Sequence, residues 1–187
     1  MNDARQDIVN WAKYFVTNKA KGMHYAEVRP MPLTSKFPIT TDCSGFVTLC
    51  YYLAGAADPN GLAYSHYGYT GTLLSHGTKI SPSMVQPGDV IVYGPGTGWH
   101  TAVIVEAGKD PMTISMGQEG DPSYVKVSQD GRTPQTYLRF RTKRVHPLIK
   151  FVRLVKTTIK PKKAPSQTHA PLGVSTIGDV PSLKVKP

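Results

Sequence analysis

The chain has 187 residues, 40% of them hydrophobic, enough for one cored domain plus an extension and too apolar for wholesale disorder. Its net charge of +10 sits in the last quarter: residues 1–140 carry eleven basic and eleven acidic side chains, and residues 141–187 carry eleven basic ones and a single acid, Asp179. These figures point to a neutral domain over 1–140 followed by a basic extension over 141–187, and no run approaches the roughly 20 apolar residues of a membrane-spanning helix.

The first segment, MNDARQDIVNWAKYF, lacks the apolar stretch and small-residue cleavage site of a secretory signal, so synthesis without a signal peptide is expected. Ile8, Trp11, Ala12 and Phe15 follow helical spacing, and Gly22 is a plausible stop. Residues 28–41 hold three prolines and no periodicity, which reads as a long irregular loop. Asp42 can cap a helix with Phe46, Leu49, Cys50 and Leu53 on its apolar side, ending at Gly55. A short helix is expected over 72–76. From Gln86 onward the pattern changes to short apolar runs: strands are expected at 90–93, 100–106, 112–116, 124–128 and 135–140. Helices first and an antiparallel meander of about five strands second make an α+β domain.

Beyond Phe140, residues 147–159 can be drawn as one amphipathic helix. From Pro161 on, five prolines and four lysines read as an extended tail. Such a tail suits a polyanionic wall polymer, a membrane surface or a virion partner. It has no nucleic-acid-binding motif and one aromatic residue, Phe151, so no specific nucleic acid is expected.

The chemistry concentrates at Thr41-Asp42-Cys43-Ser44-Gly45-Phe46. A cysteine in the first turn of a helix meets unpaired N–H groups and the positive end of the helix dipole, and both favour the thiolate. Gly45 would let backbone and substrate approach closely. Nearby N–H groups, that of Cys43 included, could hold an oxyanion. Cys50, mid-helix on the apolar side, fits an inert buried thiol. Seven residues on one helix separate the pair by about 10.5 Å, too far for a disulfide, so both are expected free. His100 opens an apolar strand after a glycine-rich loop. Directed at the face that packs on the Cys43 helix, it could take the thiol proton and return it to a leaving amine. The spacing of Gly94, Gly96 and Gly98 lacks the following helix that a phosphate site needs. It reads as a loop beside a groove, with Trp99 lining it. No His, Cys or carboxylate pair has metal-ligand spacing, and neither metal nor cofactor is expected.

Asp42-Cys43-Ser44-Gly45-Phe46-Val47, Pro87-Gly88-Asp89-Val90-Ile91-Val92-Tyr93 and His100-Thr101-Ala102-Val103-Ile104-Val105, in that order, resemble the NlpC-type cell-wall cysteine peptidases, most of all the peptidase modules of phage lysins acting on actinobacterial walls. The resemblance spans about residues 20–140. It implies a papain-like fold with the cysteine helix packed on an antiparallel sheet, and hydrolysis of amide bonds in peptidoglycan stem peptides. It further implies substrate contacts from Tyr25, Asp42 and Ser44. Action at the bacterial wall is implied, either by a lysin released at lysis or by an enzyme carried in the virion. The family orients its histidine with a polar residue on the following strand, about where Met116 stands here. A thioether cannot orient an imidazole, so Gln118 is the expected third catalytic residue, with Glu119 behind it. The Met116 departure leaves open a structural virion component with reduced catalysis. A related cysteine amidase or acyltransferase is a further alternative, since a Cys–His pair sets acyl chemistry but not the acyl group.

Overall fold

The computed structural model describes residues 3–117 and 122–147. Two long helices lead: α1, Arg5–Asn18, and, after a short parallel pair, α2, Cys43–Leu53. The pair consists of β1, Met23–Tyr25, and β2, Ile39–Thr41. A short helix α3, Thr70–His76, follows. A six-stranded antiparallel sheet then forms from β3 (Thr78–Ile80), β4 (Val90–Tyr93), β5 (His100–Glu106), β6 (Met112–Met116), β7 (Pro122–Lys126) and β8 (Pro134–Arg139), in the spatial order β3-β8-β4-β5-β6-β7. The α+β architecture is the one expected, with one strand more.

Why the sheet strands read as apolar runs is visible in their surroundings. Val90 and Val92 of β4 and Val103 and Val105 of β5 join the core under α1 and α2, with Ile8, Phe15, Phe46 and Leu49. Ile91, Tyr93, Ala102 and Ile104 point to the opposite face, where Val85, Ile80 and Tyr137 cover them. Covered on both sides, central strands lose the polar half of the alternation. Helix α2 is similarly enclosed: of its eleven residues only Tyr52 is not buried.

The limits of β4, β5 and β6 match the expected ones, because turn residues bracket each run. Three expectations over the strands and the loop are corrected, the helix expected over 72–76 begins two residues earlier at Thr70, and β3 was not expected. The irregular loop over 28–41 ends in β2, since Ile39–Thr41 finds a partner in β1, 16 residues upstream in register. The strand expected at 124–128 occupies Pro122–Lys126, and a single 3₁₀ turn takes Val127–Gln129. The last strand is Pro134–Arg139, one residue early. Strand β3 carries no apolar run and is held by pairing with β8. The chain remains attached past Phe140: Ala4 N–H donates to Thr142 O at 2.8 Å, Val145 N–H to Gly55 O at 2.9 Å, and Arg144 pairs with Asp7. The amphipathic helix expected over 147–159 and the tail from Pro161 fall outside the described residues.

A buried ion cluster joins the start of α1 to the sheet. Asp89, fully buried in the turn before β4, accepts from Arg5 Nη1 at 2.8 Å and from Arg139 Nε and Nη2 at 3.0 and 2.7 Å. Gln86 N–H adds a fourth bond at 2.8 Å. Burial alone would raise the Asp89 pKa, but the Arg139, Arg5 and Gln86 hydrogen bonds outweigh it, leaving a value below 3.8. Asp89→Ala removes four hydrogen bonds and leaves two guanidiniums that stay 20% and 25% exposed, so it is expected to cost about 1–3 kcal/mol, read from urea unfolding. Because the folded-state pKa is lowered, this stabilisation is present above about pH 4 and is lost as pH falls through the folded value. The loss should therefore shrink in acid.

Candidate active site

The N-terminus of α2 is built by a cap. Asp42, in extended conformation, accepts from Gly45 N–H at 2.6 Å and from Ser44 Oγ at 2.9 Å through Oδ1. Its Oδ2 pairs with Arg29 Nη1 at 2.9 Å, and Arg29 Nη2 donates to Ser44 Oγ at 3.0 Å. Arg29 is itself held by the Gly68 and Val28 carbonyls. Asp42 and Ser44, expected to bind substrate, thus have internal partners here. Gly45 also has a different reason from the one expected. A Cβ there would come 2.2 Å from Thr41 Oγ1 and 3.2 Å from Asp42 Oδ1, so what approaches Gly45 is the cap.

Cys43 is the first residue of α2 and is 6% exposed. The main-chain N–H groups of Thr101, Ser44 and Cys43 itself lie near enough to its thiol to favour the charged form. That agrees with the helix-start position, but burial and the Asp42 charge prevail and push the thiol up to about 11. The expected thiolate is corrected: dehydration of a buried sulfur outweighs three N–H groups, so the resting group is a thiol. Cys50 is free and fully buried, its pKa raised by burial.

The nearness of Thr101 relates the thiol to the sheet, because Thr101 follows His100 at the start of β5. The direction expected for His100 is corrected by register. It pairs with Tyr93 and shares the Tyr93 face, the rings 5.8 Å apart, whereas Thr101 and Val103 alternate toward the helices. What the structure places near the thiol is thus the main chain of Thr101, the residue after His100. His100 is 3% exposed, and its Nε2 is 4.0 Å from Asp130 Oδ2.

Tyr25, at the end of β1, belongs to the same cluster. Its hydroxyl is pushed up to about 12, by burial first and then by Cys43, Glu27 and Asp42, with Arg132 opposing. Trp99 is 73% exposed, and its ring lies against Gly94, where a Cβ would come within 2.7 Å of it. It stands on the rim. Met116 is fully buried in the helix-side core beside Val103 and Ile114, pairing with Pro122. Gln118 and Glu119 fall outside the described residues. Arg29, Asp130 and Arg132 were not among the expected site residues. Arg29 lies in a proline-rich stretch without periodicity, and Asp130-Gly131-Arg132 reads as an ordinary turn. Among the described residues no cluster of His, Cys, Asp or Glu has the makings of a metal site, and no helix is long and apolar enough to cross a membrane.

A neutral thiol at pH 7 has a measurable consequence. Alkylation of Cys43 by iodoacetamide should be slow at pH 7 and climb toward pH 11. Asp42→Asn, which removes the nearby negative charge, should move the profile to lower pH. A wild-type midpoint below pH 8 would contradict the dominance of burial.

No protein-family model matches the chain. It is 29% identical over 93 residues to the peptidoglycan endopeptidase RipB of Mycobacterium tuberculosis, a match covering 50% of this chain and 34% of RipB. The match thus spans about a third of the length of that relative. Among solved structures, the resuscitation-promoting-factor-interacting protein RipA superposes with a TM-score of 0.51 at 19% identity, over 74% of this chain and 62% of RipA. RipD of Mycobacterium tuberculosis, described as a non-catalytic NlpC/p60 domain protein adapted to peptidoglycan binding, gives 0.50 at 18% identity, over 74% of this chain and 98% of RipD. The fold is that of NlpC/p60 domains, and the resemblance drawn from the motifs to NlpC-type cell-wall peptidases stands.

Proposed function

We propose that this chain is a peptidoglycan endopeptidase that cleaves an amide bond of the stem peptide with Cys43 as nucleophile and His100 as base. The observation that carries the reading is the place of Cys43 as first residue of the capped helix α2, near the main chain of Thr101 in the strand that begins with His100. Because the resting thiol is neutral, the reaction needs a base. His100 takes the thiol proton as sulfur attacks the amide carbon, and the C=O electrons move to oxygen. The Cys43 and Ser44 N–H groups, near the sulfur, are the candidates to stabilise that oxyanion, whereas Gly45 N–H is committed to Asp42. Collapse breaks the C–N bond, the amine leaves with the proton held by His100, and a thioester remains. Water, deprotonated by His100, then hydrolyses the thioester and restores the thiol.

Tyr25, beside Cys43, and Trp99, on the rim, are the candidate substrate contacts. Asp42 and Ser44 support the cap and reach substrate only if Arg29 yields. Work at the bacterial wall follows from this reading. The phage setting, as lysin or virion enzyme, rests on the motif resemblance alone, and a wall-polymer or virion partner for the tail belongs with it. A second reading, wall binding without hydrolysis, is favoured by Met116, which fills with a core thioether the position where a polar partner for His100 was expected.

The two readings separate in one assay on purified actinobacterial peptidoglycan, following new amino groups and co-sedimentation together. Hydrolysis predicts amine release by wild type and a fall of at least about 1,000-fold in Cys43→Ala with binding retained. Sedimentation with the wall and no release, from folded protein on several wall types, would transfer the conclusion to the binding reading.

A further inference from the structure

We propose that Asp130, held in place by Arg132, is the residue that orients and charges His100. A carboxylate from the connection between β7 and β8 then fills the role that the motif resemblance assigns to a polar residue following β6. The inference rests on the Cys43–His100 reading of the site.

Three observations carry it. Asp130 is directed inward: its side chain is 2% exposed although it belongs to a surface turn, and its Oδ2 is 4.0 Å from His100 Nε2. A buried carboxylate is costly unless paired, and its two oxygens are divided between partners. Oδ1 accepts from Arg132 Nη1 at 3.0 Å, which leaves Oδ2 for the imidazole. Gly131, with φ of +79°, supplies the left-handed residue that lets the chain place Asp130 and Arg132 on the same ion pair. Arg132 also lies close enough to influence both Tyr25 and Tyr93, so the turn reaches the end of the sheet that carries His100 and Tyr93.

The chemistry follows from which nitrogen is addressed. At 4.0 Å Asp130 Oδ2 is at ion-pair distance from Nε2; drawn into hydrogen-bond range it would keep the proton on Nε2 and leave Nδ1 to accept the thiol proton that the proposed function assigns to His100. When His100 takes the thiol proton, a positive charge forms in a buried site, and the Asp130 carboxylate favours it. A separation of 4.0 Å suits a resting enzyme, since such contacts tighten as charge develops. Met116 is then free to serve the core. Among the described groups, Tyr93 from β4 and Asp130, with its cation Arg132, face the His100 ring, and Cys43 and Tyr25 belong to the site as proposed.

The test is the titration of the His100 ring, followed by NMR in full-length protein carrying Cys43→Ala, with and without Asp130→Asn. His24, His66 and His76 serve as internal references. Loss of the carboxylate should lower the His100 midpoint by about one pH unit and leave the references unmoved, and Asp130→Glu should restore much of the shift. In the Cys43 enzyme, Asp130→Asn should reduce kcat on peptidoglycan by about 10- to 100-fold with little change in KM. It should also move the acidic limb of the pH profile downward. An unshifted His100 titration in a folded Asp130→Asn protein would overturn the proposal. A shifted titration in a protein that never hydrolyses peptidoglycan would uphold the Asp130–His100 pairing while removing the proposed function.

Discussion

The capping of α2 by Asp42 is the constraint on which the site depends. One carboxylate oxygen holds the Gly45 N–H and the Ser44 hydroxyl, and the other is anchored by Arg29. A helix whose start is defined to one residue has a defined first side chain, and that side chain is the Cys43 thiol. A cap of this kind contributes on the order of 1 kcal/mol to a helix. Its larger consequence here is positional. If the helix began one residue later, the thiol would rotate by about 100° and leave its place at the helix start. The clash that any Cβ at Gly45 would make with Thr41 shows how little room the cap leaves.

The position has an electrostatic cost. Asp42 is needed to start the helix, yet its charge opposes thiolate formation, and burial opposes it more. Arg29 is the counterweight, a cation brought from the loop before β2 onto the same carboxylate. The same logic recurs at the other end of the site, where Arg132 offsets Asp130, and below it, where Arg5 and Arg139 offset the buried Asp89. Each of these three carboxylates is buried and paired with arginine. Arginine suits these places because its charge persists at any working pH and its planar fork can hold two acceptors.

The likeness to RipD, a non-catalytic domain of the same fold, illustrates that fold and activity are separable. The groups that the proposed hydrolysis would use in this chain are distributed over α2, β1, β5 and the β7–β8 turn. The core beneath them, where Met116 packs with Val103 and Ile114, serves stability and not proton transfer.

Much of this molecule was legible in the sequence wherever the signal was local. The periodicity of α1, the cap before Cys43, and the turn-bracketed runs of β4, β5 and β6 depend on neighbours within a few residues, and the observed elements follow them. Cys43 and His100 stood out for the same reason, each being placed by a nearby cap or glycine-rich turn. Tertiary structure decided what depends on distant partners. It recruited Ile39–Thr41 into a parallel pair with Met23–Tyr25, turned His100 to the Tyr93 face, and raised the Cys43 pKa through burial that no motif records. It also brought Arg29 to Asp42 and Asp130 to His100 across 13 and 30 residues of chain. Local sequence determines which residues can cap, turn or alternate; charge pairing and dehydration at the site arise only when separate segments are packed together.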